Sequence, residues 1–369
     1  MKILHIAECA GGVDRYLSML LPLLNNIHEQ VFFCSQHFDV TKYEGIVKSV
    51  YQLEMRQTIS PLRVLFEVKR IRRIIKMENP DIVYCHSSFA GSLGRLACIH
   101  MKSKVVYNPH GWAFNMKEGN SLLRLFYLNI ERIMATRTDK IVCISEAEYR
   151  SALNNRICKE EKLKIILNGI ILSDVEQAIP VSRASLGLSS TDYVIGMIGR
   201  LAHQKAPDIF VKAGLLIKQT IPHAVFIIVG DGPEKSWVQD YAHKHGLKVI
   251  ITGWIDNPYS YLKVFDLAML LSRWEGFGLS IVEYMAAKKN IVATRVDAIP
   301  TLIEDGVDGM LADADSPENV RDKALYVYTH QKEAEEMKEK AYQKALKQFD
   351  VQRVVAQHIE LFAEMGGQI

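Results

Sequence analysis

Two carboxylates, Glu275 and Glu283, stand with seven residues between them in Ser272-Arg273-Trp274-Glu275-Gly276-Phe277-Gly278-Leu279-Ser280-Ile281-Val282-Glu283. An ionised carboxylate only accepts hydrogen bonds, which suits it to hydroxyl groups. The Gly276-Phe277-Gly278 turn permits positive φ and close backbone approach to a ligand. The helix expected after it, to about Ala287, offers unpaired N–H groups and a positive dipole end to a phosphate. The plainer reading is a tight strand–helix connection with a solvated glutamate at each end.

A second group is Ile198-Gly199-Arg200-Leu201-Ala202-His203-Gln204-Lys205. It follows an apolar strand and supplies two cations five residues apart. Arginine forks onto phosphate oxygens and lysine adds a mobile point charge. Two solvated cations are the alternative, but cations are unfavourable near a helix start unless an anion compensates. In the first half, Gly11-Gly12 follows the first strand and precedes a helix. It is not G-x-G-x-x-G, and a close-packed turn explains it equally well. His86, with Gly91 beyond it, and His110-Gly111-Trp112 follow the third and fourth strands. A lone histidine is more often structural, yet these strand-end positions favour at least one lining a cleft. Asp313-Ala314-Asp315 has the spacing of a metal-binding D-x-D. It adjoins Ser316-Pro317, an expected helix start, so N-capping and solvation are expected there. No bound metal is expected to be required.

These residues must be held by regular elements. Short β-branched runs alternate with helix-length segments, with strands expected at residues 2–7, 31–35, 81–85, 104–107 and 140–144. The second half gives 193–198, 225–229, 248–252, 266–270 and 290–294. Such alternation implies parallel sheets with helices on both faces. The pattern restarts near Tyr193, which places a linker at about 172–190. Two doubly wound sheets leave a cleft, and ligands bind at the carboxyl ends of their strands.

The 369 residues are 49% hydrophobic and 24% charged, ordinary values for a globular chain of two domains. The net charge of +3 is too small to argue for nucleic acid. It divides into +6 over residues 1–180 and −3 over the remainder, so the halves are expected to face different partners. Six scattered cysteines (9, 34, 85, 98, 143 and 158) form no C-x-x-C pair, which favours reduced thiols in a cytoplasmic protein. No uncharged apolar run reaches the ~18 residues of a membrane span. Lys2 is followed by only a few apolar residues before Glu8, unlike a signal peptide.

Taken together, the chain resembles the retaining glycosyltransferases of family 4. The carrying residues are Glu275-Gly276-Phe277-Gly278 with Glu283 (E-x7-E), Gly199-Arg200-Leu201 with Lys205, and Val229-Gly230-Asp231-Gly232-Pro233. Gly11-Gly12, His110-Gly111, Ile144-Ser145 and Asn168-Gly169-Ile170 support them in family order. The resemblance implies an α/β GT-B fold of two facing Rossmann-like domains with an interdomain cleft. Residues 1–175 would bind the acceptor, with a C-terminal helix at about 352–369 packing back on them. Residues 176–351 would bind a nucleotide-diphosphate sugar, a substrate and not a cofactor.

By that resemblance, Arg200 and Lys205 hold the diphosphate and Gly199 permits its approach. Glu275 contacts hydroxyls of the donor sugar, and Glu283 grips the ribose. The backbone of Gly276, Phe277, Gly278 and Leu279 approaches the sugar and phosphates. His110 reaches the donor sugar, and Gly12 lets the first loop approach the reacting centre. Gly11, Arg15 and His86 are the candidates for acceptor binding. The family's mechanism retains the anomeric configuration: the departing diphosphate oxygen deprotonates the acceptor hydroxyl on the same face. Glu275 is then a positioning group, unlike the paired carboxylates of a glycosidase. One departure stands out. The family often carries Gly-Gly-x-Pro-Glu where this chain has Asp297-Ala298-Ile299-Pro300-Thr301.

The expected reaction moves a hexose or N-acetylhexosamine to a glycan or polyprenyl-linked glycan, in bacterial capsule or exopolysaccharide assembly. Competing readings are a nucleotide-sugar epimerase on the same architecture, a nicotinamide-dependent oxidoreductase and a non-catalytic binding subunit. The oxidoreductase lacks its G-x-G-x-x-G. The acceptor would be read by N-terminal loops such as residues 112–121. Residues 60–78 read as a helix with Ser60 as cap and Pro61 first. Val64, Val68, Ile71, Ile74 and Ile75 form its apolar face. Across residues 63–76 the other side is basic, with Leu62, Leu65 and Phe66 near its start. Such a face suits an anionic bilayer at the inner face of the plasma membrane. Residues 331–349 read as a solvated mixed-charge helix. The sequence fixes neither the base, the sugar nor the oligomeric state.

Overall fold

A computed structural model describes residues 1–8, 11–55, 60–115 and 121–366. The chain divides into two compact units, Met1–Asn168 with Val351–Ile369, and Gly169–Asp350.

The first unit carries strands β1 (Lys2–Ala7), β2 (Glu29–Ser35), β3 (Ser49–Leu53), β4 (Ile82–His86), β5 (Lys104–Asn108), β6 (Lys140–Cys143) and β7 (Leu163–Ile165). Between them run helices α1 (Gly12–Leu24), α2 (Pro61–Glu78), α3 (Ser88–Ala97), α4 (Ser121–Ala135) and α5 (Glu146–Asn154). The sheet is parallel in the order β3-β2-β1-β4-β5-β6-β7. Successive strand residues point to opposite faces. Leu4, Ile6, Val83 and Cys85 therefore pack with Ile71, Ile75, Leu93 and Leu128 of α2, α3 and α4. Ile3, Ala7, Phe32 and Tyr84 pack with Leu17 of α1 and with Val354 and Phe362.

The second unit carries β8 (Tyr193–Ile198), β9 (Ala224–Val229), β10 (Val249–Ile251), β11 (Leu267–Leu270), β12 (Asn290–Thr294) and β13 (Met310–Ala312). Its helices are α6 (Leu172–Glu176), α7 (Pro207–Thr220), α8 (Lys235–Lys244), α9 (Tyr259–Leu262), α10 (Leu279–Ala286), α11 (Ile299–Leu302), α12 (Pro317–Thr329) and α13 (Gln331–Gln348). This sheet is also parallel, in the order β10-β9-β8-β11-β12-β13. The last helix, α14 (Val351–Gly366), belongs to the first unit.

Three strands have no counterpart among those expected from the sequence: β3, β7 and β13. All three are sheet edges. An edge strand is short and often half-exposed, so it need not carry the apolar run that marks a buried one. The hand-over between units also falls earlier than residues 172–190. Ile170 N–H donates to Phe349 O at 2.9 Å, and Ile170 pairs with Asp350. The following stretch is stitched into the second unit, where Val181 N–H donates to Ser260 O at 3.1 Å.

Candidate active site

In each sheet the strand order reverses once, between β1 and β4 and between β8 and β11. The connections leaving such a pair diverge to opposite faces and open a crevice at the carboxyl ends. In the second unit those connections are the Gly199–Lys205 and Ser272–Gly278 segments, so topology brings together the two motifs that stand 70 residues apart in the chain.

Backbone contacts bind the two segments tightly. Arg273 N–H donates to Gln204 O at 2.8 Å, and the Gln204 amide donates to Trp274 O at 3.1 Å. Tyr284 of α10 accepts Ile198 N–H at 2.9 Å. Lys205 Nζ then lies in direct ion-pair contact with Glu275 Oε2, which also accepts the Ser272 hydroxyl at 3.0 Å. Both side chains are largely buried. Arg200, by contrast, is exposed and has no ion-pair partner among the described residues. Glu283 is buried on α10, with its carboxylate oxygens shut off from solvent. Phe277 is buried against Phe349, and Gly278 takes φ 100° at the start of α10. Gly276 and Leu279 flank these two residues in the turn and at the first helical position.

The Gly230-Asp231-Gly232 motif supports this loop from below. A Cβ on Gly230 would lie 2.0 Å from Gly199 O, and one on Gly232 would lie 2.3 Å from Leu201 O. Leu201 N–H donates to Asp231 O at 3.0 Å. The glycines are there because another backbone occupies the space of a side chain.

At the departure from the family pattern, Asp297 takes φ 42°, a left-handed conformation usual for glycine and tolerated by aspartate. Its carboxylate accepts Glu275 N–H at 2.9 Å. Asp315, expected near a helix cap, instead pairs with Arg273 Nε at 2.6 Å. The cap of α12 is Ser316, whose hydroxyl accepts Asn319 N–H. Electrostatics decides this: Arg273, which also bonds Asp208 and His203 O, draws the nearby carboxylate to itself. Among the described residues no group of three or more His, Cys, Asp or Glu side chains could hold a metal ion.

In the first unit, Gly11 takes φ 82° ahead of α1, and a Cβ on Gly11 or Gly12 would touch nothing within 4 Å among the described residues. Close packing therefore does not explain that glycine pair. Arg15, on the first turn of α1, is half-buried. His110 and Gly111 are both left-handed, at φ 50° and 103°. Gly111 N–H donates to Glu148 Oε1, and Trp112 Nε1 donates to Glu148 O at 3.0 Å. Burial pushes the Glu148 pKa up to about 8, against the pull of the two backbone donors at Gly111 and Ile144. The sequence reading passed over Glu148. Its signal was Ser145-Glu146-Ala147-Glu148, a capping-box spacing, and Glu148 N–H indeed donates to Ser145 Oγ at 3.1 Å.

His86 does not face an acceptor. It is fully buried, with one ring nitrogen 3.0 Å from His5 and the other 3.0 Å from His110. His86 lies on the face of β4, with Ile82 and Tyr84, that packs under α1 and α14, which is why a strand-end position did not make it accessible.

On α2, Ile71, Ile74 and Ile75 are buried as the spacing requires, but Glu67 joins them, paired to Arg70 at 3.2 Å. Leu62, Leu65 and Phe66 are exposed, and α4 adds exposed Leu122, Leu125 and Phe126, which the sequence reading did not single out. Both helices begin at the carboxyl end of the parallel sheet, so these side chains share one end of the unit with His110. Residues 116–120 of the expected acceptor loop and 367–369 of the last helix lie outside the described residues. No described helix is long and apolar enough to cross a membrane.

Residues 10–174 match the family described as "Glycosyltransferase Family 4", and residues 179–344 that described as "Glycosyl transferases group 1". A Klebsiella pneumoniae protein described as "Uncharacterized 41.2 kDa protein in cps region" is 30% identical, over 90% of this chain and 93% of its own. The Escherichia coli UDP-Gal:alpha-D-GlcNAc-diphosphoundecaprenol alpha-1,3-galactosyltransferase is 27% identical, over 99% of this chain and 97% of its own. Among solved structures, a glycosyltransferase from Rickettsia africae ESF-5 matches with TM-score 0.84 at 20% identity, covering 100% of this chain and 99% of that one. HepE of Anabaena in complex with UDP matches at 0.81 and 22% identity, covering 99% and 100%. The two Rossmann-like units are those of the GT-B fold.

Proposed function

The chain belongs to the glycosyltransferases of the GT-B fold, and from that premise we propose that it transfers a hexose or N-acetylhexosamine from a UDP-sugar, with retention, to a polyprenyl-linked glycan in capsule or exopolysaccharide assembly. The observation that carries the donor side is the Lys205–Glu275 pair at the strand-order reversal, beside an exposed Arg200. The relative that acts on a diphosphoundecaprenol-linked acceptor and the one in a cps region support the acceptor class and the setting.

Arg200 and Lys205 bind the diphosphate and offset the charge that grows as the glycosidic bond breaks. Glu275 orients sugar hydroxyls, Glu283 the ribose, and the start of α10 brings backbone N–H groups to the phosphates. His110 accepts a hydroxyl of the transferred sugar. The bond from the anomeric carbon to the phosphate oxygen breaks and the bond to the acceptor oxygen forms on the same face. The acceptor proton passes to the departing phosphate oxygen. Retention is favoured because the available side chains are poor bases. Glu275 is held by Lys205 and Ser272, and burial lowers the basicity of His110.

We further assign the exposed Leu62, Leu65, Phe66, Leu122, Leu125 and Phe126, with Arg63, Arg73 and Arg124 among them, to contact with an anionic bilayer that carries the acceptor. The transfer reading is tested by incubating the protein with UDP- and GDP-sugars and a polyprenyl-diphosphate-linked sugar as acceptor, and following product by NMR. Transfer with an α-configured product is expected. Glu275→Ala, or Arg200→Ala with Lys205→Ala, should lower kcat by roughly 100-fold or more. Absence of binding to every nucleotide sugar, with no effect of these variants, would exclude it.

A further inference from the structure

Three histidines and a glutamine form one buried row in the first unit. Gln30, His5 and His86 come from neighbouring strands β2, β1 and β4, on the face that packs under α1 and α14. Gln30 Nε2 donates to His28 O at 2.9 Å, which fixes the amide so that Oε1 faces His5 Nε2 at 2.7 Å. His5 Nδ1 lies 3.0 Å from His86 Nε2, and His86 Nδ1 lies 3.0 Å from His110 Nε2.

The direction of every bond in the row follows from its inner end. An amide oxygen only accepts, so His5 Nε2 carries the hydrogen. His5 and His86 are fully buried and His110 is half-buried; burial lowers the basicity of all three rings and none has a carboxylate partner among the described residues, so each stays neutral and carries one ring hydrogen. His5 Nδ1 is therefore bare and accepts from His86 Nε2–H. His86 Nδ1 is bare in turn and accepts from His110 Nε2–H. His110 is left with a bare Nδ1, which has no partner among the described residues.

We infer that Gln30, acting through His5 and His86, is a positioning residue that locks His110 in its Nε2–H tautomer and so makes Nδ1 a hydrogen-bond acceptor for a substrate hydroxyl. The hydroxyl rests on the proposed role of His110 in sugar binding; the tautomer does not. The inference also limits the chemistry of His110: a neutral ring with its only hydrogen directed inward cannot act as a general acid.

The test is long-range 1H–15N NMR of the full chain labelled with 15N-histidine, without substrate, His110 being assigned from the spectrum of His110→Asn. Wild type should show His110 with protonated Nε2 and bare Nδ1. Gln30→Leu should convert this to a tautomer mixture; should that variant not fold, His5→Phe breaks the same row one link on. A protonated Nδ1 in wild type, or an unchanged His110 signal in a folded Gln30→Leu or His5→Phe, would overturn the inference. Separately, the UDP-sugar KM of His110→Ala tests the sugar contact: no change would remove the hydroxyl role while the spectra still decide the tautomer.

Discussion

The backbone N–H of Glu275 donates to the carboxylate of Asp297 at 2.9 Å, across 22 residues of chain. The same glutamate meets Lys205 through its side chain. Asp297 thus braces the turn from the backbone side, while Lys205 and Ser272 fix the carboxylate. A residue that departs from the family pattern combines a left-handed backbone with a side-chain acceptor.

Asp297→Asn should be close to neutral, because asparagine tolerates the left-handed region and supplies an acceptor oxygen. Asp297→Ala should lose about 1 kcal/mol for the exposed hydrogen bond and about as much again for backbone strain. Urea unfolding of the three proteins, with the UDP-sugar KM, checks the order wild type ≈ Asn > Ala. Equal stability of all three would show that the contact is incidental.

Gly230→Ala should be severe. Its Cβ would sit 2.0 Å from Gly199 O, where only backbone could yield. A cost of roughly 2–3 kcal/mol is expected. Gly246→Ala is the control, since φ 67° strains it but the space around it is open. That change should cost about 1 kcal/mol. A denaturation midpoint for Gly230→Ala no lower than that of Gly246→Ala would contradict the account of the loop.

Acidification should destabilise the first unit well above the carboxylate range. Burial lowers His5 and His110 to about 3 and His358 to about 4, and it holds His86 well below its ordinary value. The unfolded chain takes up these protons near pH 6.5, whereas the native state refuses them. Below that pH the unfolded state binds more protons, so stability falls as pH falls, until the folded pKa values are reached. Each histidine contributes up to about 1.4 kcal/mol per pH unit. His358 faces the hydroxyls of Tyr16 and Tyr84, Val354 O and the Phe362 ring, with no acidic side chain among them. His358→Gln should therefore flatten the decline by one histidine's share, measured by urea titrations between pH 7.5 and 5.5. An unchanged slope would show that His358 is not one of the acid-sensitive groups.

Vesicles of phosphatidylglycerol and phosphatidylcholine should co-sediment the protein, and phosphatidylcholine alone should do so weakly. Phe66→Ser with Phe126→Ser should release it without shifting the melting temperature by more than a few degrees, because both rings are exposed. Salt should weaken binding, since the basic component is screened. Binding unaffected by both serines would place the membrane contact elsewhere or remove it.

Much of the architecture was legible in the chain because its signals are local. Apolar runs such as Ala224–Val229 marked buried strands, and the glycine-rich stretches at Gly199–Lys205 and Glu275–Gly278 marked two loops that follow strands. The edge strands β3 and β7 escaped because a partly exposed strand carries no such run, and buried β13 because three residues are too short to show one. Which residues meet was beyond any local pattern. Lys205 and Glu275 are 70 residues apart, His5 and His86 are 81, and Tyr16 and His358 are 342. A histidine after a strand reads the same whether its ring turns outward or beneath a helix. The parallel sheet's register and the helices laid over it decided that His86 is buried and His110 only half so. Sequence types supply the chemistry available, but burial and hydrogen-bond partners, fixed only when distant strands pair, determine the form in which each group carries its proton.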